Sequence, residues 1–181
     1  MESAAIDLMN SDWRDYRGSG RRADLLDDAT WTAEYLARWG LARAGEPGRA
    51  QLRAVKSLRT AMFSIVDALE ANAAVRARDL AVVNKALAAG PLRPELAYAD
   101  GAFRLDRSPA RQDWNWVMTR IATAFAELLV EHDPGRLRRC ENEDCRWVFY
   151  DESKSHSRRW CADVCGNLLK VRRFRERKRR G

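Results

Sequence analysis

Apolar residues recur along most of the chain at the three-and-four spacing that lines one side of a helix. The clearest run lies between Pro47 and about Ala71, where Leu52, Val55, Leu58, Met62, Ile65 and Leu69 follow at three, three, four, three and four. Pro47 suits the first turn of such a helix, and Arg53, Lys56, Arg59, Asp67 and Glu70 fall on its other faces. An earlier helix is predicted from about Asp28 to Gly40, carrying Trp31, Tyr35, Leu36 and Trp39, with Asp28 as cap and Gly40 as stop. A third, on Leu80, Val83 and Leu87, runs from about Val75 to Ala89 and ends at Gly90-Pro91. Ser108-Pro109 is read as the cap of a fourth, which reaches about His132 on Trp114, Val117, Ile121, Phe125 and Leu128. Such stripes are the core-facing sides of a helical bundle.

Between Pro94 and Arg107 the period falls to two. Leu96 and Tyr98 alternate with polar or small neighbours, as do Phe103 and Leu105, and Asp100-Gly101 between them is a hairpin signal. The first twenty residues are weakly patterned, with a short apolar stretch over Ala5 to Met9 and a loop at Gly18-Ser19-Gly20. Asp133-Pro134-Gly135 breaks the fourth helix and marks the expected domain boundary. Beyond it, Arg146-Trp147-Val148-Phe149-Tyr150 reads as a strand and Asp151 to Ser157 as a loop. A last helix begins at Cys161, with Val164, Leu168, Val171 and Phe174 as the stripe expected to pack on its surroundings.

Charge sharpens this division. The formal net charge is +7, but from Arg136 onward fifteen basic residues face seven acidic ones, whereas the preceding 135 residues carry eighteen against nineteen. The whole basic excess lies on the C-terminal segment, the asymmetry expected when one part alone meets a polyanion. There is no run of eighteen apolar residues to cross a membrane. The acidic, weakly apolar N-terminus does not read as a signal peptide, so a reducing cytoplasm is expected.

All four cysteines, Cys140, Cys145, Cys161 and Cys165, sit in that basic segment as two close pairs, C-x4-C and C-x3-C, fifteen residues apart. Close pairs on either side of a loop are how four thiolates reach one tetrahedral zinc. Disulfides would suit an exported chain, and an iron–sulfur cluster takes the same four sulfurs. A single structural Zn2+ is the reading preferred, in a treble-clef-like or ribbon-like finger. His156 is left as a solvated loop residue, because four thiolates already complete the tetrahedron. The fold class expected is therefore mainly α: residues 1–135 as a helical domain with a short β-hairpin, then residues 136–181 as a four-cysteine zinc finger ending in a basic helix.

The stretch RRCENEDCRWVFYDESKSHSRRWCADVCGNLLKVRRFRERKR resembles the CGNR zinc finger, named for its fourth cysteine and the three residues after it. Arg158 to Cys161 and the Asp-x-Ser step at Asp151 to Ser153 carry the likeness further. One position departs from it, since Leu168 stands where the signature has arginine. Members of that family carry an N-terminal ABATE domain, which residues 1 to about 133 resemble in length and layout. The resemblance implies a bacterial stress-induced transcription regulator, with the finger as DNA-binding module and the preceding domain as sensor.

The cationic residues expected to meet nucleic acid are Arg158, Arg159, Lys170, Arg172, Arg173, Arg175, Arg177 and Lys178. Asn167 is placed either at a base edge or, in preference, as a brace for the metal loop. Trp31, Tyr35, Trp39, Trp114 and Trp116 are candidates for an aromatic effector pocket, against the simpler reading that they fill the core. No Gly-rich phosphate loop, nucleophile elbow or His-rich metal pattern is present, and two histidines leave little for general base work. An enzyme is not expected. The expected partner is duplex DNA, with an RNA-binding or ribosome-associated module and a protein adaptor as alternatives. A homodimer through an exposed face of the fourth helix would suit palindromic sites.

Overall fold

The structure, a computed structural model, describes residues 1–180. Six helices and three two-stranded antiparallel ribbons alternate along the chain. Helix α1 (Ala4–Asn10) leads into β1 (Asp12–Arg14) and β2 (Arg22–Asp24), which flank the Gly18-Ser19-Gly20 loop. Helices α2 (Ala29–Arg38), α3 (Arg49–Glu70) and α4 (Ala77–Leu87) follow. Strands β3 (Leu92–Ala99) and β4 (Ala102–Pro109) form a long hairpin, α5 (Trp114–Val130) returns to the bundle, and β5 (Leu137–Arg139) pairs with β6 (Val148–Tyr150) ahead of α6 (Asp163–Arg180).

The helical stripes fold as their spacing implies. Val55, Leu58, Met62 and Ile65 of α3 meet Val117, Ile121 and Phe125 of α5 and Leu8 and Met9 of α1 in one buried core. Asp28 caps α2, its carboxylate accepting from the amides of Thr30 and Trp31. Gly40 ends it in the left-handed region, at φ +68°. Asp100 and Gly101 turn the hairpin with positive φ at both positions, as a tight two-residue turn requires.

Three expectations are corrected. The fourth predicted helix starts at Trp114, not near Ser108-Pro109. Its cap is Asp113, which accepts from the amides of Asn115 and Trp116, and β4 runs through to Pro109. Pro47 lies just outside α3, which begins at Arg49 behind Gly48. Arg59, read onto a face away from the apolar stripe, is buried. Its guanidinium grips Asp24 with two bonds of 2.8 and 2.7 Å and donates a third to Ser11 Oγ at 2.6 Å. That fork pins the β1–β2 ribbon onto α3.

The finger is joined to this body through the core itself. Leu137, Val148 and Tyr150 belong to the same buried cluster as the helices. The side-chain amide of Asn10 faces Val148 as a strand would, donating to its carbonyl at 3.0 Å and accepting from its amide at 2.8 Å. Arg139 lies over the Phe63 ring at 4.2 Å and pairs with Asp67 at 3.2 Å.

Candidate metal centre and nucleic-acid surface

The β5–β6 ribbon holds the first two cysteines at its tip. Its register, Leu137↔Tyr150 to Arg139↔Val148, leaves residues 140–147 as a closed turn. The amide of Cys140 donates to Trp147 O at 2.7 Å, and the amides of Cys145 and Arg146 both donate to Asn142 O at 2.8 and 3.0 Å. Arg146 takes the left-handed conformation, at φ +59°, that lets the turn close. This is a metal knuckle built from backbone hydrogen bonds.

The second pair arrives from the start of α6. Cys161 lies two residues before the helix, in a turn where the amide of Cys165 donates to Ala162 O, so only Cys165 is helical. Between the pairs, the loop of residues 151–158 is folded around the buried Asp151. Its carboxylate accepts from the amides of Ser153 and Arg158, both at 2.9 Å. Burial pushes that carboxyl up, but the hydrogen bonds from Ser153 and Arg158 outweigh it and hold the group below the ordinary carboxylate range.

All four sulfurs lie within 4.8 Å of one another, with Cys145–Cys161 at 3.6 Å and Cys161–Cys165 at 3.9 Å. A tetrahedron with Zn–S bonds of about 2.3 Å has edges of about 3.8 Å, so the donor set fits zinc. Hydrogen bonding among the crowded thiols lowers the pKa of Cys140 and pushes those of Cys145 and Cys161 up. A divalent cation ends that competition by taking all four as thiolates. With four protein ligands the site is closed and structural.

Its nearest support is Asn142, which the sequence reading did not single out. Buried at the knuckle, it donates to Tyr16 O at 2.9 Å and toward Cys165 Sγ at 3.7 Å. The bracing expected of Asn167 belongs to Asn142, while Asn167 is exposed on α6. An asparagine between two close cysteines is the available signal, since its side chain favours tight turns. Gly166 is equally specific, because a Cβ there would stand 2.9 Å from the Trp160 ring. His156 is exposed and contacts Arg136, away from the sulfurs.

Residues 2–132 match the ABATE family, described as a putative stress-induced transcription regulator. The chain belongs to the ABATE family. Residues 136–178 match the CGNR zinc finger, so this ABATE chain carries both parts of the architecture that the motifs implied. Among curated proteins none matches it. Leu168, the departure from the CGNR signature, is half-buried on α6, so no cation stands at that point of the ABATE chain's finger.

The rotation of α6 differs from the expected one. Cys165 must face the metal and Gly166 must lie against Trp160, which turns Arg172 toward Asp144 and Arg17 and leaves Val164, Val171 and Phe174 exposed. The nine expected nucleic-acid residues therefore divide. Arg172 is held by Asp144 at 2.6 Å and by Arg17 O at 2.5 Å. Arg158 donates to Trp160 O at 2.9 Å and to Cys161 O, and Arg159 pairs with Glu141. Among the described residues Lys170, Arg173, Arg175, Arg177 and Lys178 are exposed without a hydrogen bond or ion pair.

The five aromatic candidates are dispersed. Trp31 and Tyr35 stack at 5.2 Å and line a cavity of about 140 Å³ together with Trp147 of the finger. Trp39 lines another beside Arg120, and its indole donates to Asp7 at 3.1 Å. Trp114 lines a third and donates to Gly45 O at 3.1 Å, while Trp116 is buried against Gly90. Among the described residues no helix is long and apolar enough to cross a membrane.

Proposed function

We propose that the chain is a DNA-binding transcription regulator acting in the cytoplasm, with α6 laid along duplex DNA and the helical body as sensor. The observation that carries this is the free cationic side of α6. Lys170, Arg173, Arg175, Arg177 and Lys178 project from a helix whose base is fixed by zinc. At 1.5 Å per residue its eighteen residues extend about 27 Å, enough to cross a major groove. Phosphate contacts position the protein without specifying sequence. Asn167, Val171 and Phe174, on the outward side, are the residues available to meet base edges and thymine methyls.

An RNA-stacking module is the weaker reading, because Phe149 and Tyr150 are buried and Trp160 packs on Gly166. We assign the chain no catalytic step. The cavity lined by Trp31, Tyr35 and Trp147 is the place for an effector to act, since it touches both the body and the finger. Competition among duplex DNA, structured RNA and heparin tests the first half of the proposal. Duplex DNA is expected to bind best, with a log–log salt slope near −5 for five neutralised phosphates. Equal affinity for all three polyanions would reduce the function to charge alone.

A further inference from the structure

The apolar stripe of α5, expected to leave a face open for a second copy, is buried from Trp116 to Leu128. A different surface is built where the helical body meets the finger. The loop between β1 and β2 reaches from the body to the metal knuckle. Asn142 donates to Tyr16 O at 2.9 Å, and the Tyr16 side chain packs on the cysteine cluster. Arg172 of α6 donates to Arg17 O at 2.5 Å and to the Asp144 carboxylate at 2.6 Å. Gly18 makes that approach possible, since a Cβ there would stand 2.6 Å from the Arg172 guanidinium and 2.8 Å from the Asp144 carboxylate. Its φ of +84° also lies in the left-handed region that favours glycine.

The loop is anchored through backbone carbonyls and the Tyr16 side chain, so its own cations are left over. Residues 14–22 hold four arginines against one acid, which makes this edge of the body cationic although residues 1–135 as a whole are not. Arg17, Arg21 and Arg22 are exposed and make no ion pair among the described residues. Arg17 leans only on its neighbour, its guanidinium 5.4 Å from the centre of the Tyr16 ring. The acids nearby are engaged, the Asp15 carboxylate by the Arg17 amide at 3.1 Å and Asp144 by Arg172. Arg175, one turn beyond Arg172 on the same side of α6, is exposed. The cations of the loop and those of the helix therefore form one surface, continuous across the seam between body and finger. Arg172 stands nine residues into α6, about 14 Å along it, so the loop flanks the middle of the rod. A helix lying in a major groove has sugar–phosphate backbone on either side, and a loop held beside it is placed to take those phosphates.

We propose that the β1–β2 loop is a second contact with duplex DNA, Arg17 and Arg21 neutralising phosphates beside the groove that α6 enters. The inference rests on the DNA-binding reading of α6 and adds the helical body to the interface. Two further phosphates steepen the log–log salt slope by about two beyond what α6 supplies. The test compares salt slopes of zinc-loaded, full-chain variants on one duplex. Arg17→Ala combined with Arg21→Ala is expected to flatten the slope by about two at unchanged zinc content and melting temperature, because the anchoring groups are untouched. Arg17→Lys with Arg21→Lys keeps the charge and is expected to keep the slope. Arg49 and Arg53 are exposed in the first turns of α3, ten residues or more before Phe63, where α3 meets the finger. Their replacement by alanine is expected to leave the slope unchanged. An unmoved slope in the Arg17–Arg21 alanine pair, while replacing Lys170, Arg173 and Arg177 flattens it, would overturn the proposal and leave α6 as the DNA surface. An equal change in the Arg49–Arg53 pair would overturn it too, reducing the effect to net charge. A wild-type chain that does not bind the duplex would overturn the reading of α6 and this inference together.

Discussion

Adding one methyl at Gly166 sets the metal against an aromatic ring. The Cβ of Gly166→Ala would lie 2.9 Å from Cε3 and 3.2 Å from Cδ2 of Trp160, on a rigid ring and not at the tip of a flexible chain. An ordinary carbon contact is about 3.5–4.0 Å, so ring or helix must move by roughly 0.6 Å or more. Helix α6 cannot simply rotate, because Cys165, one residue earlier, is a ligand. Overpacking of this kind costs about 1–3 kcal/mol, and here it falls on the folded, metal-bound state. Apparent zinc affinity, read by competition with a chromogenic chelator, is expected to weaken about 5- to 150-fold. Trp160→Leu in the same background, which removes the obstructing ring, is expected to recover part of that loss. Unchanged affinity in Gly166→Ala, or no recovery in the double variant, would show that the ring does not set the angle at which α6 leaves the metal.

Cys161→Ser should abolish stoichiometric zinc, since structural zinc contributes on the order of 10 kcal/mol in small fingers. Circular dichroism should then fall by no more than the share of α6, because β5 and β6 are seated in the main core. Lys170, Arg173 and Arg177 replaced together by alanine should flatten the salt slope of DNA binding by about three at constant zinc content. Arg172→Ala should instead leave that slope within about one unit and lower the melting temperature, as it unties Asp144 and Arg17. Burial raises the Asp24 carboxyl, but hydrogen bonds from Arg59 and Lys56 win and hold it at about 2. The stability this supplies is present above the unfolded value of about 3.9 and is lost as pH falls through 2, a loss on the order of 1–2 kcal/mol. Urea midpoints across that window should fall less steeply in Asp24→Asn.

Much of this was readable because it is local. Three-and-four spacing marks α3 and α5, two adjacent turn residues mark the hairpin, and paired cysteines mark the metal. The β1–β2 ribbon escaped because three-residue strands are too short to show alternation. Its position depends on Arg59, whose place off the apolar stripe gives no sign of its partner Asp24. The start of α5 was misplaced because Ser108-Pro109 carries the marks of a cap, whereas Asp113, whose carboxylate does the capping, follows a strand that continues to Pro109. Most instructive is α6. Its apolar spacing is real, yet which side turns inward is decided by one sulfur and one glycine, so Val171 and Phe174 face outward against the pattern. The aromatic candidates scattered for a related reason: Trp31 and Tyr35 stack on α2, Trp39 and Trp114 line separate cavities and Trp116 is buried, and sequence spacing says nothing about convergence.

The amide of Asn10, clamped across Val148, has a consequence for how a target would be found. A finger on a loose linker samples orientations and forgives variation in its site. This one is riveted to the bundle by a side chain that completes its strand, so the cationic helix turns only when the whole protein turns. If α6 meets duplex DNA as proposed, its angle of approach is therefore a property of the bundle rather than of the metal module.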